Sequence, residues 1–326
     1  MVFDQKERVA ASPLTPAEQQ IFVVFSTWII AGLFLDGWSH QVRKPETFFT
    51  PWHGLMYSGF FGAVVFSAWQ QSRARARGET ETGMDRLVTI GGVLFVVGAI
   101  GDFVWHSLFG IEVNTEALLS PTHLMLATGG LLLASTPARV AWRTGTPVNW
   151  AVVQSVTAVA AVVAFFTQFA AAFRVDRLYD VAFKGMDPIA EAHAIRGVTA
   201  ILLTNAILLG ALAFLTSRWT LPRGACAFLC GAVALATNGL TGFDHPLLIV
   251  AGVVGGLAAD AAIALGRPKD ALVAAPVVMW LAWTAIAAAT APFEWSPNVW
   301  GGAVFVATLT GVGLRVLAYP SFNSDR

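Results

Sequence analysis

Apolar residues fill about ten long blocks of this chain, and most charged residues are left to the gaps between them. The blocks lie at about 20–37, 52–71, 87–107, 121–142, 149–172, 194–216, 222–241, 245–265, 271–291 and 298–318. They are apolar all round rather than along one stripe, and many approach the ~20 residues needed to cross a ~30 Å hydrocarbon core as a helix. Turn and breaker residues separate most of them: Pro45, Gly78, Gly83, Gly145, Pro147, Pro188, Pro222, Pro246, Pro268 and Pro297. A segment inside a bilayer must satisfy its backbone internally, so it is a helix or part of a closed barrel. A barrel would need short alternating strands, which this pattern lacks. The pattern predicts an all-α, polytopic integral membrane helix bundle of about ten transmembrane helices.

Composition agrees with that reading. Hydrophobic residues make up 56% of the 326 and charged residues 12%, with mean hydropathy +0.64, whereas soluble domains carry roughly 25% charged residues. Formal net charge is zero, so no nucleic-acid partner is expected and membrane lipid is the first partner. Cys226 and Cys230 are the only cysteines and lie one helical turn apart in an apolar block, which reads as two small buried thiols. Residues 1–19 are polar and read as a cytoplasmic N-terminal segment. No cleavable signal peptide is expected, because the apolar run that follows is long enough to span.

Basic residues set the orientation. Alternate connections hold Arg73, Arg75, Arg77 and Arg86, then Arg139 and Arg143, then Arg218 and Arg223, then Arg267 and Lys269. Lys6, Arg8, Arg315 and Arg326 fall on the same side, while the opposite connections carry Arg43, Lys44, Arg174, Arg177, Lys184 and Arg196 and are otherwise acidic or neutral, so both termini are expected to be cytoplasmic in a bacterial or archaeal cytoplasmic membrane. All six histidines, His40, His53, His106, His123, His193 and His245, then fall in or beside connections on the outer side. Asp36, Glu46, Asp102, Glu112, Glu116, Glu191 and Asp244 join them there. Histidines placed without a role would divide between the two faces.

Two stretches carry the chemistry. The first runs from Asp36 through His40 and Glu46 to Thr50-Pro51-Trp52-His53; the second runs from Asp102 through His106 and Glu116 to Ser120-Pro121-Thr122-His123. Each reads Asp-x3-His, then Glu-x3-Ser/Thr-Pro-x-His. On a helix, Asp36 and His40 share a face, as do Asp102 and His106. The Pro suits the first turn of the next helix, with Thr50 or Ser120 as cap. A short loop then returns the second His over the Asp-His pair. Each hairpin thus offers one carboxylate and two imidazoles, a set that suits copper, iron or zinc rather than calcium or magnesium. Glu46 and Glu116 are candidates to orient a ligating imidazole. Trp38, Trp52 and Trp105 read as interfacial anchors that also wall the sites. Glu191 with His193, and Asp244 with His245, are single occurrences kept as additional candidate ligands or proton carriers.

The first stretch resembles the C subunit of the copper membrane monooxygenases, the particulate methane and ammonia monooxygenases. The resemblance lies in Asp36 and in His40-Gln41-Val42 followed by Glu46-Thr47-Phe48-Phe49-Thr50-Pro51-Trp52-His53, and it extends over residues 20–140. It implies a copper site held by Asp36, His40 and His53, with Asp102, His106 and the segment Glu116 to His123 similar to that subunit's second site. That second site carries Asp102 in place of an expected Asn, and a few more residues between its histidines. The six later segments have no assigned counterpart, and no periplasmic cupredoxin-like domain or A subunit is recognisable. The chain is therefore read as a four-helix, monooxygenase-C-like unit over 20–145 and a six-helix region of unassigned role over 146–326.

Three functions follow as expectations. One is an oxidoreductase that uses O2 to hydroxylate a small apolar substrate arriving from the lipid. A second is a copper or zinc transport, sensing or delivery protein without turnover, which would need a polar path across the membrane; Asp260 in the eighth block and the scattered Gln154, Gln168, Asn205 and Asn238 are its candidates. A third is a subunit of a larger membrane complex, or of a homo-oligomer, whose sites partners complete.

Overall fold

The structure, a computed structural model, describes residues 14–42, 49–78, 86–110, 114–174, 188–290, 293 and 295–319. Every one of the apolar blocks contains a helix, and no strand occurs among the described residues. In order, α1 is Pro16–Val42, α2 Pro51–Ala76, α3 Arg86–Phe109, α4 Asn114–Leu119, α5 Pro121–Ala134, α6 Thr136–Thr144, α7 Trp150–Phe166 and α8 Pro188–Arg218. They are followed by α9 Ala225–Gly239, α10 Leu248–Ala264, α11 Ala271–Thr290 and α12 Pro297–Ala318. The all-helical bundle matches the expectation.

Fewer than the ten expected helices have, among the described residues, the length and composition of a membrane span. Among the described residues, five helices (α1, α3, α8, α11 and α12) are long and apolar enough to cross a membrane. A sixth is added if α5 and α6, bent by 43° at their junction, count as one broken span. Helices α7, α9 and α10 have 17, 15 and 17 residues, about 23–26 Å at 1.5 Å per residue against a ~30 Å core. Helix α2 has 26 residues, but its last turns carry Gln70, Gln71, Arg73 and Arg75. A block of apolar sequence includes apolar turns as well as helix, so it overstates the length available to span.

The chain divides into two compact units, with the main boundary between Val159 and Ala160. In the first, Phe22, Ile29, Met56, Phe66, Phe95, Leu126 and Leu133 form the core. Small residues let its helices meet at backbone distance. A Cβ added at Gly32 of α1 would lie 2.6 Å from the Met56 backbone nitrogen of α2, and one at Gly129 of α5 would lie 2.7 Å from the Gly91 carbonyl of α3. Close approach of this kind is how helices associate without a hydrophobic drive. Gly129→Ala is therefore expected to cost about 1–3 kcal/mol through overpacking against backbone that cannot yield. Gly130→Ala, with nothing within 4 Å of the added atom, is expected to be neutral or to stabilise by up to about 1 kcal/mol through helix propensity. Thermal unfolding in detergent checks the pair.

In the second unit α10 packs against α9 and α11, and α12 against α8 and α11. Trp280 and Trp283 are fully buried, and their indole nitrogens donate to Asn205 Oδ1 and to the Ala172 carbonyl, each at 2.9 Å. Asn205 also donates to the Ala307 carbonyl at 3.1 Å, tying α8, α11 and α12 together. Asn238 donates to the carbonyls of Phe173 at 2.8 Å and His245 at 3.1 Å. Asp260 accepts from the backbone N–H groups of Cys226 and Ala227 at 3.2 and 3.0 Å, satisfying the first turn of α9. Within the first unit, Gln154 accepts from Gln20 at 2.9 Å. Gln168 accepts from Arg174 at 2.6 Å. These polar groups in the apolar blocks are engaged in packing and capping.

Candidate metal centres

Both candidate centres belong to the first unit, and each is built by one helix end and the next helix start. Thr50 and Ser120 have extended backbones and cap α2 and α5, accepting from the backbone N–H of His53 at 3.2 Å and His123 at 3.3 Å. Pro51 and Pro121 occupy the first helical position, where a missing donor costs nothing. The cap and the proline together fix the second histidine of each hairpin at the third helical position. On the other side of each centre, Asp36 and His40 end α1, and Asp102 and His106 end α3.

The two arrangements repeat atom for atom. Asp36 Oδ2 lies 3.5 Å from His40 Nε2 and 3.3 Å from His53 Nε2. Asp102 Oδ1 lies 3.5 Å from His106 Nε2 and 3.2 Å from His123 Nε2. In each trio one ligand atom per residue lies within 4.8 Å of the others, and these are the two groups of that kind among the described residues. Ligands about 2.0–2.2 Å from a tetrahedral ion sit roughly 3.3–3.5 Å from one another, so the oxygen–nitrogen separations already have the right size for one shared ion.

Hydrogen bonds around the second centre assign its proton positions. His106 Nδ1 lies 3.1 Å from the Gly110 carbonyl, an acceptor only, so Nδ1 donates there and Nε2 is the nitrogen turned toward Asp102. Thr122 Oγ1 donates to Asp102 Oδ1 at 2.9 Å. Ser120 Oγ lies 3.2 Å from Thr122 Oγ1 and 2.8 Å from His123 Nδ1. All three contacts are hydrogen bonds at once in only one direction: Thr122 gives its proton to Asp102, Ser120 to Thr122, and His123 Nδ1 to Ser120. Both Nε2 atoms then face one carboxylate oxygen, leaving the metal-binding nitrogen of each ring turned inward. A cation there would be ligated by all three groups, and the outer bonds hold the rings in place.

The first centre is more open. Asp36 and His53 are half-buried and His40 is exposed. Asp36 Oδ1 is buried yet finds no hydrogen-bond partner among the described residues. Trp38 and Trp52 meet edge to face at 6.0 Å. Tyr57, one turn beyond His53, has its ring 5.9 Å from the His53 ring and 6.3 Å from that of Phe95 on α3.

The structure thus brings together Asp36, His40 and His53, and Asp102, His106 and His123. Glu46 lies outside the described residues. Glu116 is exposed on α4, and the imidazole-orienting role expected of it is supplied by Ser120 and Gly110. Glu191 and His193 start α8, exposed and half-buried; Asp244 and His245 lie between α9 and α10, also exposed and half-buried. Neither pair joins a three-ligand group among the described residues. Thr122 and Tyr57 are the residues that sequence reasoning passed over. The signal for Thr122 was present in the x of Pro-x-His, a hydroxyl in one repeat and an indole in the other.

Compared with protein-family models, with curated proteins and with solved structures, the chain matches none.

Proposed function

We propose that the chain is an integral membrane metalloprotein that holds one copper ion in each Asp/His/His group, toward the outer face of the membrane, and uses O2 to hydroxylate a small apolar substrate. The observation that carries the reading is the duplication in space: in both hairpins one carboxylate oxygen stands within 3.5 Å of two imidazole nitrogens. The N,N,O donor set suits copper, iron or zinc; copper is chosen on the motif resemblance to the monooxygenase C subunit. Orientation, with both termini cytoplasmic, rests on the basic residues of alternate connections.

Bound copper would supply one-electron chemistry with O2. The overall reaction inserts one oxygen atom into a C–H bond; the other leaves as water, with two electrons and two protons from an external reductant. The chain's own part is to hold the rings and carboxylates in register, through the Thr50 and Ser120 caps and the outer bonds of Gly110 and Ser120. Trp38 and Trp52 limit water at the first centre. The alternative of metal transport or delivery drew on Asp260 as a polar stepping stone, but that carboxylate is occupied in capping α9. Other membrane subunits or a second copy remain the natural partners of the second unit.

The test is O2 consumption by the copper-loaded, detergent-purified chain with a chemical reductant, with and without a small hydrocarbon. The expected result is substrate-dependent uptake that His53→Ala abolishes. Tight copper binding without O2 uptake would move the reading to metal handling, and zinc as the bound metal would remove its redox basis.

A further inference from the structure

The two metal groups share a ligand set but differ in what surrounds it, and the difference begins at one sequence position. Between the proline and the second histidine, the first hairpin has Trp52 and the second has Thr122. Thr122 donates to the same Asp102 oxygen that faces both imidazoles. Asp102 is 1% exposed, and the Ser120–Thr122 chain locks the His123 ring as well. Trp52 cannot play that part: its indole packs against Trp38, and Asp36 keeps a buried oxygen, Oδ1, with no hydrogen-bond partner among the described residues. Of the imidazoles, those one turn from the Asp follow the same trend, for the His40 side chain is 33% exposed and that of His106 10%, while His53 and His123, at 12% and 24%, run the other way.

We infer that the protein carries one retained and one exchangeable metal ion. Asp102, His106 and His123 form the retained site. Asp36, His40 and His53 form the exchangeable one, which binds metal more weakly and admits a small proton-bearing ligand whose hydrogen Asp36 Oδ1 accepts. Thr122 is the positioning residue that separates the two. This rests on the reading of both groups as metal sites and adds an order of affinity and an accessibility to it.

The physical basis is preorganisation. A carboxylate and a ring already held in ligating geometry lose little freedom on binding, and loss of such outer contacts costs ~10–100-fold in metal affinity. The Thr122 hydroxyl draws some charge from Asp102 Oδ1, but a buried carboxylate with one rotamer fixed gains more than it loses. Burial also keeps water and chelators from the second site. At the first, a carboxylate oxygen shielded from bulk water and left unpaired is costly, and an incoming donor removes that cost.

The experiment titrates the full chain in detergent with Zn²⁺ against chelators of graded strength. His40→Ala leaves the tight site alone and His106→Ala leaves the weak one, with Kd values at least ~10-fold apart. Thr122→Val in the His40→Ala background weakens binding by ~10–100-fold, and Thr122→Ser restores it. Thr122→Val in the His106→Ala background changes nothing, which separates positioning from a general loss of fold. Imidazole, which offers a lone pair to the metal and an N–H to Asp36, added to the Cu²⁺-loaded chain shifts the visible spectrum of the His106→Ala variant and leaves that of His40→Ala unchanged. Equal affinities, equal weakening of both sites by Thr122→Val, or imidazole binding at both sites would overturn the inference while leaving two metal sites standing. Absence of bound metal in the unsubstituted chain would overturn the metal reading itself.

Discussion

Replacing His106 and His123 together by alanine is expected to remove half of the metal bound by the purified protein, and replacing His40 and His53 is expected to remove the other half. Each double substitution leaves a lone carboxylate, which cannot hold a transition-metal ion against water and buffer. The halves should be separable, because the ligands of one group come from α1 and α2 and those of the other from α3 and α5, with none shared. Sites without common ligands add nearly independently. Elemental analysis of the detergent-purified chain, equilibrated with free metal above the weaker site's Kd and corrected against the metal-containing buffer, gives the stoichiometry directly. Loss of all metal from either variant would mean one shared site rather than two. No loss from either would mean that the metal sits elsewhere.

The fold was legible where the physics is one-dimensional. A bilayer or a buried helical core demands long apolar runs, so the blocks and their helical character can be read by eye. What was not legible is how much of each run is helix. The block drawn at about 149–172 yields α7 to Phe166 and then a 3-10 turn at Gln168–Ala170, both apolar and only the first part of a regular helix. The block at about 121–142 breaks at Ser135, where Pro137 opens α6. Pro137 was visible, but a proline inside an apolar run signals a kink as readily as an end.

The candidate sites were legible for a different reason. Asp-x3-His on a helix and Pro-x-His at a helix start each fix side-chain direction locally, so the repeat of spacing alone picked out the six residues that meet in two groups able to hold a metal. The outer contacts were not legible, because they cross between elements. Thr122 reaches Asp102 from a helix twenty positions later, and only the packing of α3 on α5 through Gly91 and Gly129 decides that meeting. Glu116 shows the converse. Its interval matches that of Glu46, yet α4 turns it outward, and a backbone carbonyl and a serine hydroxyl hold the rings. Intervals in sequence identify ligands more readily than they identify what orients the ligands.

Stripping the metal is expected to lower the protein's thermal stability substantially, and restoring it to raise it again. In each centre two imidazole nitrogens converge on one carboxylate oxygen at 3.2–3.5 Å, a set of donors that only the folded chain holds together for an ion. An ion that binds only the folded state would stabilise by about 4 kcal/mol at a thousand-fold excess over Kd. The gain should fall below that ceiling, because Asp and His one turn apart on α1 or α3 remain neighbours wherever that helix survives unfolding. The unfolded chain thus keeps two of three ligands per site, and binding to it reduces the effect. The His106→Ala/His123→Ala variant isolates the first centre and His40→Ala/His53→Ala the second. Because Asp102 is buried and Asp36 half-buried, the larger metal-dependent gain belongs to the second centre. Scanning fluorimetry in detergent with chelator, then with added Cu²⁺ or Zn²⁺, reads each contribution. A thermal midpoint unmoved by metal in the unsubstituted chain would show that the six residues meet without binding an ion, leaving histidine–carboxylate ion pairs as the reason they converge.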